Sequence, residues 1–530
     1  MHKVLVTDPI SEEGLAKLKE ASDIQLDIKT GLPLADLLAT IGDYDALLVR
    51  SQTKVTAQVI EAGKNLKVIG RAGVGVDNID VRAATKAGVL VINAPDGNTI
   101  TTAEFTFAMM MALARHIPQA HLSMHEGKWD RNRFLGIELR GKTLGVIGLG
   151  RIGAEVSKRA LAFGMTVYAF DPFLTAARAE KLGVKMATLN DTIQAADIIT
   201  VHTPLMKETR HLISDAQFAM MKKGVRILNC ARGGIIDEKA LQKALDDGIV
   251  AGAALDVYEE EPANEHPLLN YPQVITTPHL GASTIEAQVN VAVDVADGLV
   301  KLLNGDTYPH TVNLPAMSVE AKKATEPFAE LGEILGSVAA QIAPAGIAKI
   351  TVRYEGEPTQ NALEPITRSV LKGVLARFYN DEVHLISAAL IAEEMGIDVV
   401  ESKSSRHSNY SNFIQVDLEG TAGRVTVSGT VLKGHGSRIV EIDGYSVDIL
   451  PSDAMLMTWH RDRPGIIGLI GSVLGEAGVN IASMQVGRKE AGGQAIMIMG
   501  VDRFVPEESL ESLGATKDIE RILYLELPIS

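Results

Sequence analysis

The middle of the chain contains the run KTLGVIGLGRIGAEVSKRALAFGMTVYAFD, residues 142–171, which predicts the fold of this region. An apolar strand pattern enters a glycine turn, a helical pattern follows, and a second strand pattern ends at Asp171. The turn fits G-x-G-x-x-G through Gly148, Gly150 and Gly153, and Asp171 lies 18 residues after the last glycine. This is close to the offset of about 20 that is typical of dinucleotide-binding βαβ units.

Each position in this turn has a physical reason. Gly148 permits the tight turn, Gly150 lets the backbone approach a pyrophosphate, and Gly153 lets the helix pack closely on the strand. The helix amides would then bind the phosphates. Asp171 would accept hydrogen bonds from the ribose hydroxyls and repel a 2′-phosphate, which predicts NAD rather than NADP. The alternative is a glycine-rich turn with a solvent-facing aspartate.

Strand-like apolar runs alternate with helical patterns on both sides of this stretch, which predicts parallel sheets covered by helices on both faces. The pattern before the glycine turn is echoed after it, so we expect two doubly wound parallel-sheet domains, one Rossmann-type and one flavodoxin-like, facing each other across a cleft. The runs are VLV at 4–6, ALLV at 46–49, LKVIG at 66–70, VLVIN at 89–93, DIITVHT at 197–203, VRILNCA at 225–231, VAGAALDV at 250–257 and VITTPH at 274–279.

The rest of the chain predicts a long returning helix and two smaller domains. The amphipathic segment 284–305 follows the last strand of the second domain, so it could pack on the first. Residues 453–530 show the β-α-β-β-α-β order of a ferredoxin-like domain. The predicted domains are a substrate-binding domain at 1–97 and 285–312, an NAD-binding Rossmann domain at 98–284, an α+β intervening domain at 316–450 and a regulatory domain at 453–530.

Composition narrows the classes of function. The 530 residues carry a net charge of −15 and only 4% aromatic residues, which argues against nucleic-acid and membrane partners. The one cysteine, Cys230, excludes an intramolecular disulfide and a cysteine-based zinc site, and it suits the cytoplasm. His202 and His211 lack partners at metal-ligand spacing in the sequence, so no metal is expected.

Three candidate catalytic residues follow successive strands of the second domain: Arg232, Glu261 and His279. Histidine titrates near neutrality and could accept the proton of an alcohol that loses a hydride. A carboxylate bonded to the imidazole would raise its pKa, and an arginine would bind a substrate carboxylate. Taken singly, the acidic run around Glu261 could be a solvated loop and His279 a structural turn residue.

Several motifs carry a family resemblance. GLGRIG at 148–153, NCARGGIIDE at 229–238, ALDVYEEEP at 254–262 and PHLGAST at 278–284 resemble the D-2-hydroxyacid dehydrogenases. GRAGVGVDNID at 70–80 and NAPDGNTITTAE at 93–104 resemble the branch of that family that acts on 3-phosphoglycerate, in its long form. The resemblance covers the whole chain, including both appended domains.

The resemblance implies NAD-dependent oxidation of 3-phospho-D-glycerate to 3-phosphooxypyruvate, the first step of L-serine biosynthesis, by a homodimer or homotetramer. It assigns Arg232 and Glu261 to the active site and makes His279 the proton donor. The positions implied to bind NAD are Gly148, Gly150, Arg151, Ile152, Gly153, Asp171, Thr203, Cys230, Ala231, Asp256, Gly281 and Ala282.

A substrate with a carboxylate and a phosphate needs several cations. Arg50 and Arg71 end strands of the first domain and would face the cleft, and Gly75 and Asn98 are further substrate candidates. The resemblance implies that Arg131 reaches the site from a neighbouring subunit. Each arginine could instead be an ordinary surface residue.

The C-terminal segment resembles an ACT domain, a module that binds amino acids at subunit interfaces. His460, Asp462 and Asn480 carry this resemblance, and the implied effector is L-serine. The alternative is a purely structural dimerisation unit. Two other functions stay open: a dehydrogenase of a different 2-hydroxy acid, and an NAD-sensing protein with a degenerate dehydrogenase fold. The intact Arg232, Glu261 and His279 set argues against the latter.

Overall fold

The structure is a computed structural model that describes residues 1–343, 346–360, 362–379, 383–404, 410–421 and 423–529. Parts of the predicted intervening domain, and Ser530 at the end of the predicted regulatory domain, lie outside the described residues. The described chain contains four sheets, and the predicted fold class is confirmed.

The first sheet is parallel, in the order β2-β1-β3-β4-β5, which is the flavodoxin-like arrangement. The strand β2 was not predicted, because at the sheet edge it alternates apolar and polar residues and buries only its first residue fully. The elements are β1 (His2–Val6), α1 (Glu12–Glu20), β2 (Ile24–Ile28), α2 (Leu34–Thr40), β3 (Ala46–Val49), α3 (Ala57–Ala62), β4 (Val68–Arg71), α4 (Val81–Lys86) and β5 (Leu90–Asn93).

The second sheet has seven parallel strands in the order β12-β11-β10-β9-β6-β7-β8. The strand order reverses beside β6, and a crevice at such a switch point is where ligands bind in open α/β sheets. The elements are α5 (Thr99–Arg115), α6 (Ile117–His125), β6 (Thr143–Ile147), α7 (Arg151–Ala162), β7 (Thr166–Phe170), α8 (Ala176–Leu182), β8 (Lys185–Met186), α9 (Leu189–Ala195), β9 (Ile198–Val201), α10 (Asp215–Phe218), β10 (Val225–Asn229), α11 (Glu238–Asp246), β11 (Val250–Leu255) and β12 (Val274–Thr276).

The first sheet with its helices is termed the first half, and the second sheet with its helices the second half. The chain passes between these two halves at two places that lie side by side. It enters the second half at the start of α5 and leaves it at the start of α12 (Ile285–Leu303), where the hydroxyls of Thr101 and Thr284 are 3.3 Å apart. The apolar face of α12, including Val295 and Leu299, then packs into the core of the first sheet. The long returning helix is therefore part of the first half of the molecule.

The third sheet is mixed, in the order β14-β13-β15-β16-β17-β18, and α13 and α14 bury their apolar faces in its core. The fourth sheet is antiparallel, in the ferredoxin-like order β20-β21-β19-β22. The elements are α13 (Val319–Ile342), β13 (Ile347–Gly356), α14 (Glu364–Leu375), α15 (Ala388–Glu394), β14 (Asp398–Ser404), β15 (Asn412–Gly420), β16 (Gly423–Leu432), β17 (Gly436–Ile442), β18 (Tyr445–Ile449), β19 (Ala454–Arg461), α16 (Ile466–Glu476), β20 (Ile481–Arg488), β21 (Gln494–Val501), α17 (Glu507–Gly514) and β22 (Ile519–Glu526).

Within the described ranges, no helix combines the length and the apolar character that a membrane crossing requires.

The glycine turn between β6 and α7 depends on a left-handed backbone conformation at Gly148 and on a close backbone approach at Gly153. Gly148 has a φ of 94°, which favours glycine over residues with a side chain. A Cβ on Gly153 would lie 2.2 Å from the carbonyl oxygen of Gly148, so the helix can begin here only without a side chain at that position. A Cβ on Gly150, in contrast, would meet no atom within 4 Å.

We therefore expect Gly153→Ala to destabilise this half of the molecule. Alanine normally favours a helix over glycine by about 1 kcal/mol, but the clash with backbone atoms should outweigh this gain and cost about 1–3 kcal/mol. Differential scanning calorimetry should show a lower unfolding midpoint for Gly153→Ala than for the matched variant Gly150→Ala. Equal midpoints for the two variants would contradict the steric argument.

Candidate active site

The carboxyl ends of the first two sheets face each other across a cleft that contains two adjoining cavities. A cavity of about 650 Å³ is lined by Lys54 and Arg71 from the first half and by Glu261 from the second. A cavity of about 360 Å³ is lined by residues from both halves near the glycine turn. Four residues line both cavities and join them into one cleft: Asp77, Leu205, Arg232 and His279.

The imidazole of His279 and the carboxylate of Glu261 form a hydrogen-bonded pair, with 2.9 Å between Nδ1 and Oε2. The other carboxylate oxygen of Glu261 accepts from the backbone amide of Tyr258 at 3.2 Å. Because Nδ1 faces Glu261, Nε2 is the nitrogen of His279 that is available to a substrate. The predicted pairing of a carboxylate with the imidazole is therefore present in the structure.

Electrostatics favour a charged form of this pair. The hydrogen bond to Glu261 raises the pKa of His279, against the opposing effects of burial and of Arg232. Burial would raise the pKa of Glu261, but the hydrogen bond and charge of His279 and the Tyr258 amide lower it overall. Each partner thus stabilises the ionised form of the other, which suits a histidine that must hold a proton.

The turn that carries His279 is fixed by Asp256, a carboxylate that is fully buried at the end of β11. Its oxygens accept hydrogen bonds from the backbone amides of Leu280 and Gly281, both at 2.7 Å, and from the hydroxyl of Thr277 at 2.6 Å. His279 itself adopts a φ of 56°, which is uncommon for a residue other than glycine. Asp256 therefore supports a conformation of the turn that the chain does not adopt readily.

Arg232 lies where the two halves meet. Its Nε is 3.4 Å from the carboxylate of Asp77, and its Nη1 donates to the carbonyl of Ala231 at 2.7 Å. A Cβ on Gly75 would lie 2.1 Å from Nη2 of Arg232, so Gly75 leaves the space that this guanidinium occupies. The buried side chain of Asn229 donates to the Arg232 carbonyl at 2.8 Å and shapes the turn.

The first half contributes cations to the same cleft. Burial lowers the pKa of Arg71, and the nearby charges of Arg232 and Arg50 lower it further. The three guanidinium groups therefore repel one another and favour an anionic ligand. Lys54 also lines the larger cavity, and no ion pair neutralises it among the described residues.

Lys54 was missed in the sequence, where only its place four residues after the strand-ending Arg50 could have drawn attention to it. Arg50 itself lines neither cavity, although its charge acts on Arg71. Arg131 is exposed on the 3-10 turn Arg131–Phe134 and lines neither cavity of its own chain.

The smaller cavity collects most of the residues expected to bind the cofactor. Four of its polar atoms are buried and have no hydrogen-bond partner among the described residues: Oδ1 of Asn98, Oγ1 of Thr102, Nδ1 of His202 and Oγ1 of Thr203. Buried polar atoms are costly without partners, so these atoms fit a polar ligand such as the nicotinamide and ribose of a dinucleotide. The residues predicted to bind NAD that line this cavity are Ile152, Thr203, Cys230, Ala231, Asp256, Gly281 and Ala282. Gly75 and Asn98, which were predicted to bind the substrate, line it as well.

Asp171 lies at the end of β7 beside the glycine turn. Its carboxylate accepts from the backbone amides of Leu149 and Phe173 at 2.9 and 2.8 Å, and Arg178 donates to the carbonyl of Leu149 at 3.0 Å. Arg151, at the start of α7, forms an ion pair with Asp96 across the two halves.

Two buried groups near the cofactor cavity are held neutral. Burial, with a contribution from the charge of Asp256, raises the pKa of the Cys230 thiol to about 12. Burial also lowers the pKa of His202 to about 4. Neither group is therefore charged near neutral pH.

His211 has no partner at metal-ligand spacing in the sequence, but in the structure it lies close to two carboxylates. Its ring nitrogens lie 3.0 Å from Glu259 and 3.8 Å from Asp237, residues that come from separate turns and could not be paired from the sequence. Asp237 also caps α11 by accepting from the amides of Lys239 and Ala240. These ion pairs account for the arrangement of the three side chains.

The three candidate regulatory residues differ in their solvent exposure and in their contacts. His460 is only 2% exposed and lies inside the fourth sheet, with its Nδ1 3.2 Å from the hydroxyl of Thr458. Asp462 accepts from Arg488 and from the backbone amide of Gly492, both at 3.2 Å. Asn480 is exposed and donates to Asp502 at 2.7 Å.

Comparisons with known proteins agree with this fold. Residues 107–281 match the family model of the D-isomer specific 2-hydroxyacid dehydrogenase NAD binding domain. Residues 324–443 match the D-3-phosphoglycerate dehydrogenase intervening domain, and residues 454–518 match the ACT domain. The dehydrogenase part of the chain also resembles the crystal structure of the Aquifex aeolicus D-lactate dehydrogenase with NAD and lactic acid, with a TM-score of 0.53, 28% identity, and coverage of 59% of this chain and 100% of that one.

These features define an NAD-dependent oxidoreductase of the D-isomer specific 2-hydroxyacid dehydrogenase class. The chain is 46% identical over 528 residues to the D-3-phosphoglycerate dehydrogenase of Bacillus subtilis, with 100% of both chains covered. It is 45% identical to the protein of the same name from Methanocaldococcus jannaschii, covering 99% of this chain and 100% of that one. The chain belongs to the D-3-phosphoglycerate dehydrogenase family.

We expect Asp171→Ala to relax the discrimination between NAD and NADP. The substitution removes the carboxylate that would repel a 2′-phosphate and leaves Arg178 beside the same turn. Steady-state kinetics should show the ratio of kcat/KM for NAD over NADP falling by about 10-fold or more. Asp191→Ala, which changes an exposed carboxylate on α9, is the control. An unchanged ratio in Asp171→Ala would refute this role.

Proposed function

We propose that this chain oxidises 3-phospho-D-glycerate to 3-phosphooxypyruvate with NAD, the first step of L-serine biosynthesis. The observation that carries the proposal is the pair of His279 and Glu261 beside Arg232, in a cleft whose opposite wall presents Arg71 and Lys54. The full-length relatives named D-3-phosphoglycerate dehydrogenase support the choice of this acid among the 2-hydroxy acids.

His279 carries out the proton transfer in this proposal. Nε2 of His279 accepts the proton of the substrate hydroxyl, and Glu261 stabilises the imidazolium that results. Bound NAD supplies the hydride acceptor. In the reverse direction, the same imidazolium returns its proton to the carbonyl oxygen.

Different cationic side chains of the cleft would bind the carboxylate and the phosphate of the substrate. Arg232 adjoins His279 and would bind the carboxylate next to the reacting carbon, where a planar guanidinium can form two parallel hydrogen bonds. Lys54 and Arg71, from the first half, would bind the phosphate. The carboxylate of Asp77, whose side chain is 72% exposed, can turn away from Arg232 when the substrate enters.

Self-association is part of the proposal. The segment 117–135 exposes Leu122 by 60%, Trp129 by 76% and Leu135 by 86%, and exposed apolar side chains of this kind favour an interface. We propose that a second copy covers this segment in a homodimer or homotetramer. Arg131 lies within it and would then reach the partner's cleft.

The C-terminal domain has a regulatory role in this proposal. L-serine would bind at the ACT domain through Asp462 and Asn480, and not through His460, which is buried. We retain the domain boundaries 1–97 with 285–312, 98–284, 316–450 and 453–530 as part of the proposal. The buried free thiol of Cys230 supports a cytoplasmic location.

A panel of 2-hydroxy acids tests the substrate and the role of Lys54. NADH formation should be much faster with 3-phospho-D-glycerate than with lactate, glycerate or 2-hydroxyglutarate. Lys54→Met should raise KM for the phosphorylated acid by about 10-fold or more, because a charged hydrogen bond to the phosphate is lost, and change KM for unphosphorylated acids little. Lys64→Met, an exposed lysine of the same half, is the control. Equal turnover of phosphorylated and unphosphorylated acids would overturn the proposed substrate.

The pH dependence tests the pair of His279 and Glu261. Oxidation needs neutral His279, so kcat/KM for oxidation falls as pH drops through the pKa of His279, which Glu261 raises. Glu261→Gln removes the charge that raises this pKa. We therefore expect the acid limb of the profile to move to lower pH, together with a lower kcat. A limb that stays in place or moves to higher pH would contradict the assigned roles.

A further inference from the structure

The loop after β3, residues 50–54, forms part of the wall of the larger cavity. Ser51 and Lys54 line this cavity, and the charge of Arg50 acts on Arg71. A loop that leaves a sheet has backbone amides and carbonyls that need partners. The groups that form hydrogen bonds with these amides and carbonyls therefore determine the positions of the cationic side chains of the loop, Arg50 and Lys54.

Asp8 binds the amide side of this loop. It follows β1, is only 1% exposed, and accepts from the backbone amides of Arg50 at 2.6 Å and of Gln52 and Thr53 at 3.1 Å. The hydroxyl of Thr53 also donates to it. A carboxylate withdrawn from water is costly unless its oxygens are satisfied, and here the loop satisfies them. Asp8 lines neither cavity of the cleft, so it acts through the loop.

Asn78 binds the carbonyl side of the same loop. Its Nδ2 donates to the carbonyls of Arg50 at 2.8 Å and of Thr53 at 2.7 Å. Its Oδ1 accepts from Nε of Arg71 at 3.3 Å. A continuous set of hydrogen bonds thus runs from buried Asp8, through the loop and Asn78, to a guanidinium in the cavity.

Asp8 also supplies a fixed negative charge behind the arginines. The charges of Arg50 and Arg232 disfavour the ionised form of Arg71, whereas those of Asp8 and Asp77 favour it. Asp77 is largely exposed and faces the cavity, where an anionic ligand would repel it. Asp8 is buried behind the loop and does not compete with the ligand for the cations.

We propose that Asp8 is a positioning residue that sets the affinity of the cleft for its doubly anionic substrate. It holds the loop 50–54 and, through Asn78, Arg71 in the geometry that binds the phosphate end. The inference rests on the proposed function and deepens it. Because Asp8 touches neither the reacting atoms nor the cofactor cavity, its loss weakens substrate binding and leaves the chemical step at His279 unchanged.

The variant Asp8→Asn keeps the size of the side chain but places an NH2 group against backbone amides. We expect KM for 3-phospho-D-glycerate to rise by about 10- to 100-fold, the range of one to two charged hydrogen bonds, with kcat within about threefold of the wild type. The Kd for NAD, measured by fluorescence titration, should not change. Asp45→Asn is the matched control. Asp45 also accepts from a backbone amide, that of Lys3, but it lies at the amino end of β3, away from the cleft.

Thr53→Val provides a second and milder variant, because it removes only the hydroxyl that donates to Asp8. We expect a rise of a few-fold in KM, with kcat and the Kd for NAD unchanged. The proposal is overturned if folded Asp8→Asn keeps the wild-type KM, if kcat falls instead, or if NAD binding weakens in parallel. Should Asp8→Asn fail to fold, an unchanged KM in Thr53→Val overturns it.

The experiment separates this inference from the proposed function. If wild-type protein oxidises a different 2-hydroxy acid and not 3-phospho-D-glycerate, the proposed substrate fails. The KM of Asp8→Asn for the acid that is oxidised then decides the positioning role. A rise confined to KM upholds it, and a KM equal to that of the wild type overturns it.

Discussion

The direction of the strands is the constraint on which the cleft depends. In a parallel sheet every strand ends at the same edge, so the loops that follow successive strands are neighbours in space even when they are distant in sequence. Arg71 is the last residue of β4, whereas Arg232 follows β10 and His279 follows β12. Two such edges facing each other bring cations from one half against a histidine and carboxylate pair from the other.

Both halves use a buried carboxylate at a strand end to hold a functional loop. Asp256 follows β11 and accepts from the amides of the turn that carries His279. Asp8 follows β1 and accepts from the amides of the loop that carries Lys54. In each case the cost of burying the charge is offset by backbone amides that would otherwise lack partners. The functional side chains are thus held by buried carboxylates. Asp8 lies outside both cavities, whereas Asp256 also lines the smaller one.

The sequence was sufficient where function follows from periodicity and short motifs. The confirmed fold class came from strand runs and the G-x-G-x-x-G turn, and the strand ends located Arg232, Glu261 and His279. The paths of the loops in three dimensions could not be predicted from the sequence. Lys54 enters the cavity whereas Arg50, at the strand end itself, does not line it. The burial of His460 depends on which face of its strand the sheet covers, and the contacts of His211 depend on two turns far along the chain.

The two side-by-side chain crossings at Thr101 and Thr284 have a mechanical consequence. Connections so close together place a hinge near those residues, about which the two halves can rotate relative to each other. Rotation about that hinge widens or narrows the cleft, with the largest displacement at the rim farthest from the hinge. Admission of a bulky dinucleotide and exclusion of water during the reaction can therefore be served by the same hinge motion.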